Sequence, residues 1–132
     1  MTTFPIRIGT PDGLLFSGDI VRVVVRTITG NRAILANHID FCTGIGMGEA
    51  HIVLEDGTVR SAACIGGMIS MNHGVCRVLA TTWEWSDEID AARAQRSKER
   101  AEAMMAGKEL SEKEAKAAEA RLKRAMVRLS VK

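Results

Sequence analysis

Residues 83–102 read WEWSDEIDAARAQRSKERAE, and the chain changes character inside them. Eleven of the 12 glycines lie in residues 1–86, as do both prolines, Pro5 and Pro11. All six lysines come at or after Lys98, and eleven alanines follow residue 86. Glycine punctuates extended runs and weakens helices, whereas Ala, Lys, Arg and Glu favour them. This order predicts an N-terminal antiparallel β-sandwich over residues 1–85 and a C-terminal two-helix antiparallel hairpin over residues 86–132.

Upstream of the boundary, IVRVVVRTI (20–28) alternates. Val21, Val23 and Val25 face one way and Arg22, Val24 and Arg26 the other, as in a half-buried strand. HIVLEDGTVRSAAC (51–64) sets Glu55-Asp56-Gly57 between two apolar runs, and GMISMNHGVCRVLAT (67–81) repeats the design around Asn72-His73-Gly74. Both read as hairpins. With further runs at Ile6–Ile8, Leu14–Phe16, Ala33–Leu35 and Cys42–Met47, about eight to ten short strands are expected.

Downstream, Ser86 is a candidate N-cap, with Asp87, Glu88 and Asp90 at the positive end of the helix dipole. That helix should run to about Ala106 and close on Gly107 in the left-handed conformation. Ser111 with Glu114 forms a capping box for the second helix. There Ala115, Ala118, Leu122, Ala125 and Leu129 make an apolar seam, which faces Ala94, Ala101, Met104 and Met105. Small residues permit close approach but bury little area, so the hairpin should be only marginally attached.

Composition narrows the function. The net charge of +2 comes from 18 basic and 16 acidic side chains, which disfavours a general nucleic-acid binder. Cys42, Cys64 and Cys76 lie 22 and 12 residues apart, a spacing that suits buried free thiols rather than zinc ligands. No apolar run approaches the ~20 residues that cross a bilayer, and no targeting segment is evident, so a soluble intracellular protein is expected. GIGMGE (44–49) puts Glu49 where a dinucleotide-binding loop needs its third glycine, and no phosphate-loop or G-x-S-x-G motif occurs. His38, His51 and His73 are scattered, so no metal site is expected. An enzyme is disfavoured.

The helical tail holds the one informative constellation. Asp90 and Arg93 are i, i+3 neighbours, Arg100 follows near the same face, and Arg124 and Arg128 are i, i+4 partners. Folding back near residue 109 would set residue 90 opposite about 128 and 93 opposite about 125. Arg93, Arg124 and Arg128 would then surround Asp90, and the surplus positive charge would invite an anion. On spacing alone, a solvated face with a single surface ion pair is the simpler explanation of the pattern.

Taken together, TPDGLLFSGDIVRVVV (10–25), GNRAILANHIDFCTGI (30–45), IGGMISMNHGVCRVLA (65–80), IDAARAQRSKERAE (89–102) and LKRAMVRLSV (122–131) resemble the epsilon subunit of bacterial F-type ATP synthase over nearly the whole chain. The resemblance implies a non-catalytic rotor subunit on the cytoplasmic face of the bacterial plasma membrane. It implies contacts with the gamma subunit, the c-ring and, when the hairpin extends, the alpha/beta catalytic head. In that family the extended hairpin inhibits ATP hydrolysis. I-D-x-x-R-A, here Ile89, Asp90, Arg93 and Ala94, matches an ATP-binding motif of some bacterial members, and the remaining positions map to Glu84, Arg100, Arg124 and Arg128. ATP is thus implied as a regulatory ligand that favours the folded hairpin, and no cofactor is required.

Two features depart from the family. The rotor-ring contact loop, Gly30, Asn31 and Arg32, lacks the usual acidic residue, and both prolines of the stretch that follows are missing. Arg32 is a candidate substitute contact. Trp83 and Trp85 are expected at the seam between sandwich and hairpin rather than over the nucleotide. A stand-alone nucleotide-sensing module and a plain β-sandwich adaptor are the competing functional readings.

Overall fold

The computed structural model describes residues 2–107 and 109–132. Six strands come first: β1 (Phe4–Thr10), β2 (Gly13–Thr27), β3 (Gly30–Leu35), β4 (Phe41–Leu54), β5 (Val59–Asn72) and β6 (Val75–Trp85). A 3-10 turn, Ser86–Glu88, leads to helices α1 (Ala91–Ala106) and α2 (Glu112–Val131). The sheet order is β1-β6-β5-β4-β2-β3, and an added β1–β2 pairing closes the first five into a flattened ring. All pairings are antiparallel except β1 with β6.

Six strands replace the eight to ten expected because glycines bend strands here without ending them. β4 continues through Gly44, Gly46 and Gly48, and β5 through Gly66 and Gly67. Gly66 and Gly67 have φ of 75° and 130°, conformations that side chains resist. β2 likewise serves both halves of the ring: its first part pairs β1, and its second lies between β3 and β4.

The alternation of β2 is as expected at its centre, where Val23 and Val25 are fully buried and Arg22 and Arg26 exposed. Val21 is only half-buried, because the ladder slips between Ile20 and Arg22. Both expected hairpin turns form. Gly57 (φ 88°) lets its N–H reach Leu54 O at 2.9 Å, and His73-Gly74 turns with φ of 51° and 78°.

One apolar core fills the ring, built on Ile6, Ile8, Ile20, Val23, Ile52, Ile69 and Val78. Trp83 and Trp85 belong to this core, packed edge to face with centroids 5.4 Å apart. They are therefore not at the seam with the hairpin. The cause is the period of two in β6, which turns both indoles inward and Glu84 outward between them. Arg60 covers the rim of this core, its guanidinium 3.9 Å from the Trp85 ring centroid.

The hairpin differs from expectation at its first cap. Ser86 opens only the 3-10 turn, and Asp90 caps α1, its Oδ1 accepting the Arg93 N–H at 3.0 Å. Gly107 closes α1 at φ −118°, outside the left-handed region. Ser111 caps α2 as expected, accepting the Glu114 N–H at 3.1 Å and donating to its carboxylate at 2.9 Å. Ala94 and Ala101 of α1 and Ala118 and Ala125 of α2 are buried, a matching seven-residue repeat that lets the helices approach closely. Met104 and Met105 stay outside the seam, 39% and 44% exposed. No helix among the described residues is long and apolar enough to cross a membrane.

Candidate functional site

The hairpin docks through α2 on the outward side of β4 and β5, and Glu84 of β6 reaches it at the edge. Ile89, Val131 and Val127 pack on Ala63, whose register partner on β6 is Glu84. A fully buried branched side chain is worth about 1.5–3 kcal/mol, so this patch is a small anchor. Beside it, Arg128 of α2 donates from Nε to Oε1 of Glu84 at 2.9 Å. The two side chains are 28% and 34% exposed, so water partly screens the pair. Lys132 Nζ donates to the Ser86 carbonyl at 3.2 Å and completes the latch.

These contacts enclose a pocket of about 270 Å³ where β6, α1 and α2 meet. Glu84 and Arg128 form one wall; Glu88, Asp90, Arg93, Ala94 and Ser97 form the rest. Five residues expected in the site therefore come together: Glu84, Asp90, Arg93, Ala94 and Arg128. Ile89, between Glu88 and Asp90 in sequence, does not line the pocket and belongs to the apolar anchor. Arg100 and Arg124 do not line the pocket.

The expected ring of arginines around Asp90 is not present. Asp90 spends one carboxylate oxygen on the cap of α1, and Arg128 turns to Glu84 instead. The wall carries three carboxylates (Glu84, Glu88, Asp90) and two guanidiniums (Arg93, Arg128), not the cationic surplus that spacing suggests. The reason is local: an acidic N-cap satisfies an otherwise orphaned backbone N–H, which competes with pairing to a distant arginine. Glu88 and Ser97 were missed from sequence. Ser97 lies one helical turn beyond Arg93, so the i, i+4 rule would have found it. Glu88 comes from an irregular turn that no periodicity describes.

The β2–β3 loop forms a separate feature. Gly30 begins β3 at φ 112°, and Thr27 Oγ1 donates to its carbonyl at 2.8 Å. The Arg32 guanidinium stacks 4.6 Å from the Phe41 centroid, so it braces the loop rather than projecting from it as a free contact. His38 packs its ring 4.8 Å from the same Phe41, and Asp40 Oδ1 accepts the His73 N–H at 3.1 Å. These contacts hold the segment in place of the absent prolines. Ile28, at the tip, is 92% exposed.

Fold and site define an interaction module: a closed β domain bearing a helical arm that a polar latch holds down. The model of the ATP synthase delta/epsilon chain β-sandwich domain matches residues 3–86, and that of its long α-helix domain matches residues 87–132. The chain belongs to this ATP synthase delta/epsilon family, and it is a non-catalytic stalk component of the membrane-associated complex. It is 40% identical over 132 residues to the ATP synthase epsilon chain of Ruminococcus albus, covering 99% of this chain and 97% of that one. It is 39% identical over 99 residues to the sodium-ion-specific ATP synthase epsilon chain of Acetobacterium woodii, covering 75% and 74%. A chain in the OSCP/F1/c-ring structure of Euglena gracilis mitochondrial ATP synthase shares the fold, with a TM-score of 0.85 at 20% identity over 98% of this chain and 81% of that one.

Proposed function

We propose that the chain turns with the central stalk on the cytoplasmic face of the bacterial plasma membrane, and that its hairpin is a nucleotide-sensitive brake on ATP hydrolysis. The gamma subunit covers the outward sheet face at Leu14, Leu79 and Met68, apolar side chains that are 65%, 66% and 50% exposed. The Gly30-Asn31-Arg32 loop, with Ile28 at its tip, meets the c-ring. Released from the sheet, the hairpin extends toward the alpha/beta head.

One observation carries the reading: a small apolar patch, one partly exposed ion pair and one terminal hydrogen bond hold the arm, and the ion pair lines the pocket. A ligand bound there engages β6, α1 and α2 at once and so stabilises only the folded arm. ATP is the proposed ligand, with Arg93 and Arg128 as its phosphate partners. Because the wall holds more carboxylates than guanidiniums, Arg128 must exchange Glu84 for phosphate.

Deleting residues 87–132 in the assembled complex tests the brake, with higher ATPase activity and intact assembly as the expected result. Unchanged ATPase activity under inhibiting conditions would sink it. Calorimetric titration of the isolated chain with ATP tests the ligand. Arg93→Ala and Arg128→Ala should weaken binding about tenfold or more, and Arg124→Ala much less. No heat at millimolar ATP removes the sensor and leaves the stalk role standing.

A further inference from the structure

Two neighbouring register rows on the outward sheet face differ in character. One runs Leu14, Gly9, Leu79, Met68 and Gly44 across β2, β1, β6, β5 and β4, and is apolar. The next runs Ser17, Arg7, Arg77, Ser70 and Cys42, and holds two guanidiniums and no acid. Arg7 and Arg77 are direct partners in the parallel β1–β6 ladder, and both are exposed. Among the described residues neither makes a salt bridge. The nearest acid by register, Asp19, stands opposite Pro5 and pairs with neither arginine. Like charges facing each other across adjacent strands destabilise a sheet, so the pair weakens the fold that carries it. A groove of about 290 Å³ runs along the two arginines between Leu14 and Leu79.

We propose that Arg7 and Arg77 form a clamp for a carboxylate, presented by the protein surface that covers the Leu14–Leu79–Met68 row. On the reading above, on which this inference rests, that surface is the gamma subunit's. Two guanidinium forks on adjacent strands match the paired oxygens of an Asp or Glu side chain. The apolar row beside them excludes water once covered, which strengthens the charge pairing and relieves the repulsion between the arginines. A free anion would leave the apolar row exposed, whereas an acidic residue set among apolar neighbours satisfies both rows together. The clamp fixes the register of docking and makes association sensitive to salt.

The test is a binding titration of the full chain against the gamma subunit at low and high salt. Replacing both arginines, Arg7→Glu with Arg77→Glu, should weaken binding roughly a hundredfold at low salt and flatten its salt dependence. Arg7→Gln with Arg77→Gln should cost about tenfold, and a double lysine variant, which keeps the charge but loses the fork, should fall between that and the unaltered chain. Each single reversal should raise the thermal midpoint while weakening binding, since it places opposite charges across the ladder. If Leu79→Asp abolishes binding and the double reversal leaves affinity and salt dependence unchanged, the clamp is wrong and the docking face stands. If neither variant alters binding, the face itself is wrong. If the unaltered chain does not bind gamma, docking and clamp fall together.

Discussion

At the scale of single residues, the constraint is sharpest at Gly67. A Cβ there would land on the Leu79 carbonyl and 2.7 Å from Ala80 Cα, on a backbone at φ 130°. Gly67→Ala combines strain with overpacking and should destabilise the fold by about 3–5 kcal/mol in denaturant unfolding. Gly57→Ala is the control: its φ is 88° but nothing lies within 4 Å, so the loss should be about 1–2 kcal/mol. The thiols make a second prediction. Burial pushes Cys64 and Cys76 up from 9.0 to about 12. Below pH 9 both stay protonated in either state and stability is intact. From there to about pH 12 the unfolded chain releases protons that the folded chain keeps, so each thiol lowers stability by roughly 1.4 kcal/mol per pH unit. Unfolding midpoints should fall across that window, and Cys76→Ala should reduce the slope by about half.

The helical elements were readable because their signals are local. Ser111 and Glu114 stand three residues apart, and the alanine seam repeats along one face, so capping and packing follow from spacing. Strand number was less readable, since whether a glycine ends or bends a strand depends on partners distant in sequence. The site was legible in part for the same reason: Asp90, Arg93 and Ala94 share one helical stretch, while Glu84 meets Arg128 only through docking. At this scale the latch makes a prediction. Arg128→Ala, or Glu84→Gln, should leave α1 and α2 paired but loosen the arm by about 0.5–1 kcal/mol, because the pair is partly screened. Hydrogen exchange at α2 amides should rise accordingly while β5 and β6 stay protected. Equal loss of protection in the strands would show that the arm is not a separate unit.

For the whole molecule, residues of the ring core and of the hairpin contact form two separate apolar clusters. A fragment ending at Ser86 should therefore fold cooperatively, with a thermal midpoint within a few degrees of the full chain. Non-cooperative melting of that fragment would mean that the arm supports the ring. The two-part architecture was legible from the shift in composition near Trp85, but ring closure was not. It depends on β1 pairing two strands, and only one of them is its neighbour in sequence.

The parallel pairing of β1 with β6 also orders events during synthesis. Ile6 meets Cys76, so the first strand waits for the sixth to leave the ribosome, and the ring cannot close until nearly two-thirds of the chain has emerged. Until then the Leu14 strand and its apolar inner face stand open, and this interval carries the greatest risk of aggregation. The hairpin is made after the ring. It arrives at a surface already complete, which allows the arm to leave that surface again without undoing anything beneath it.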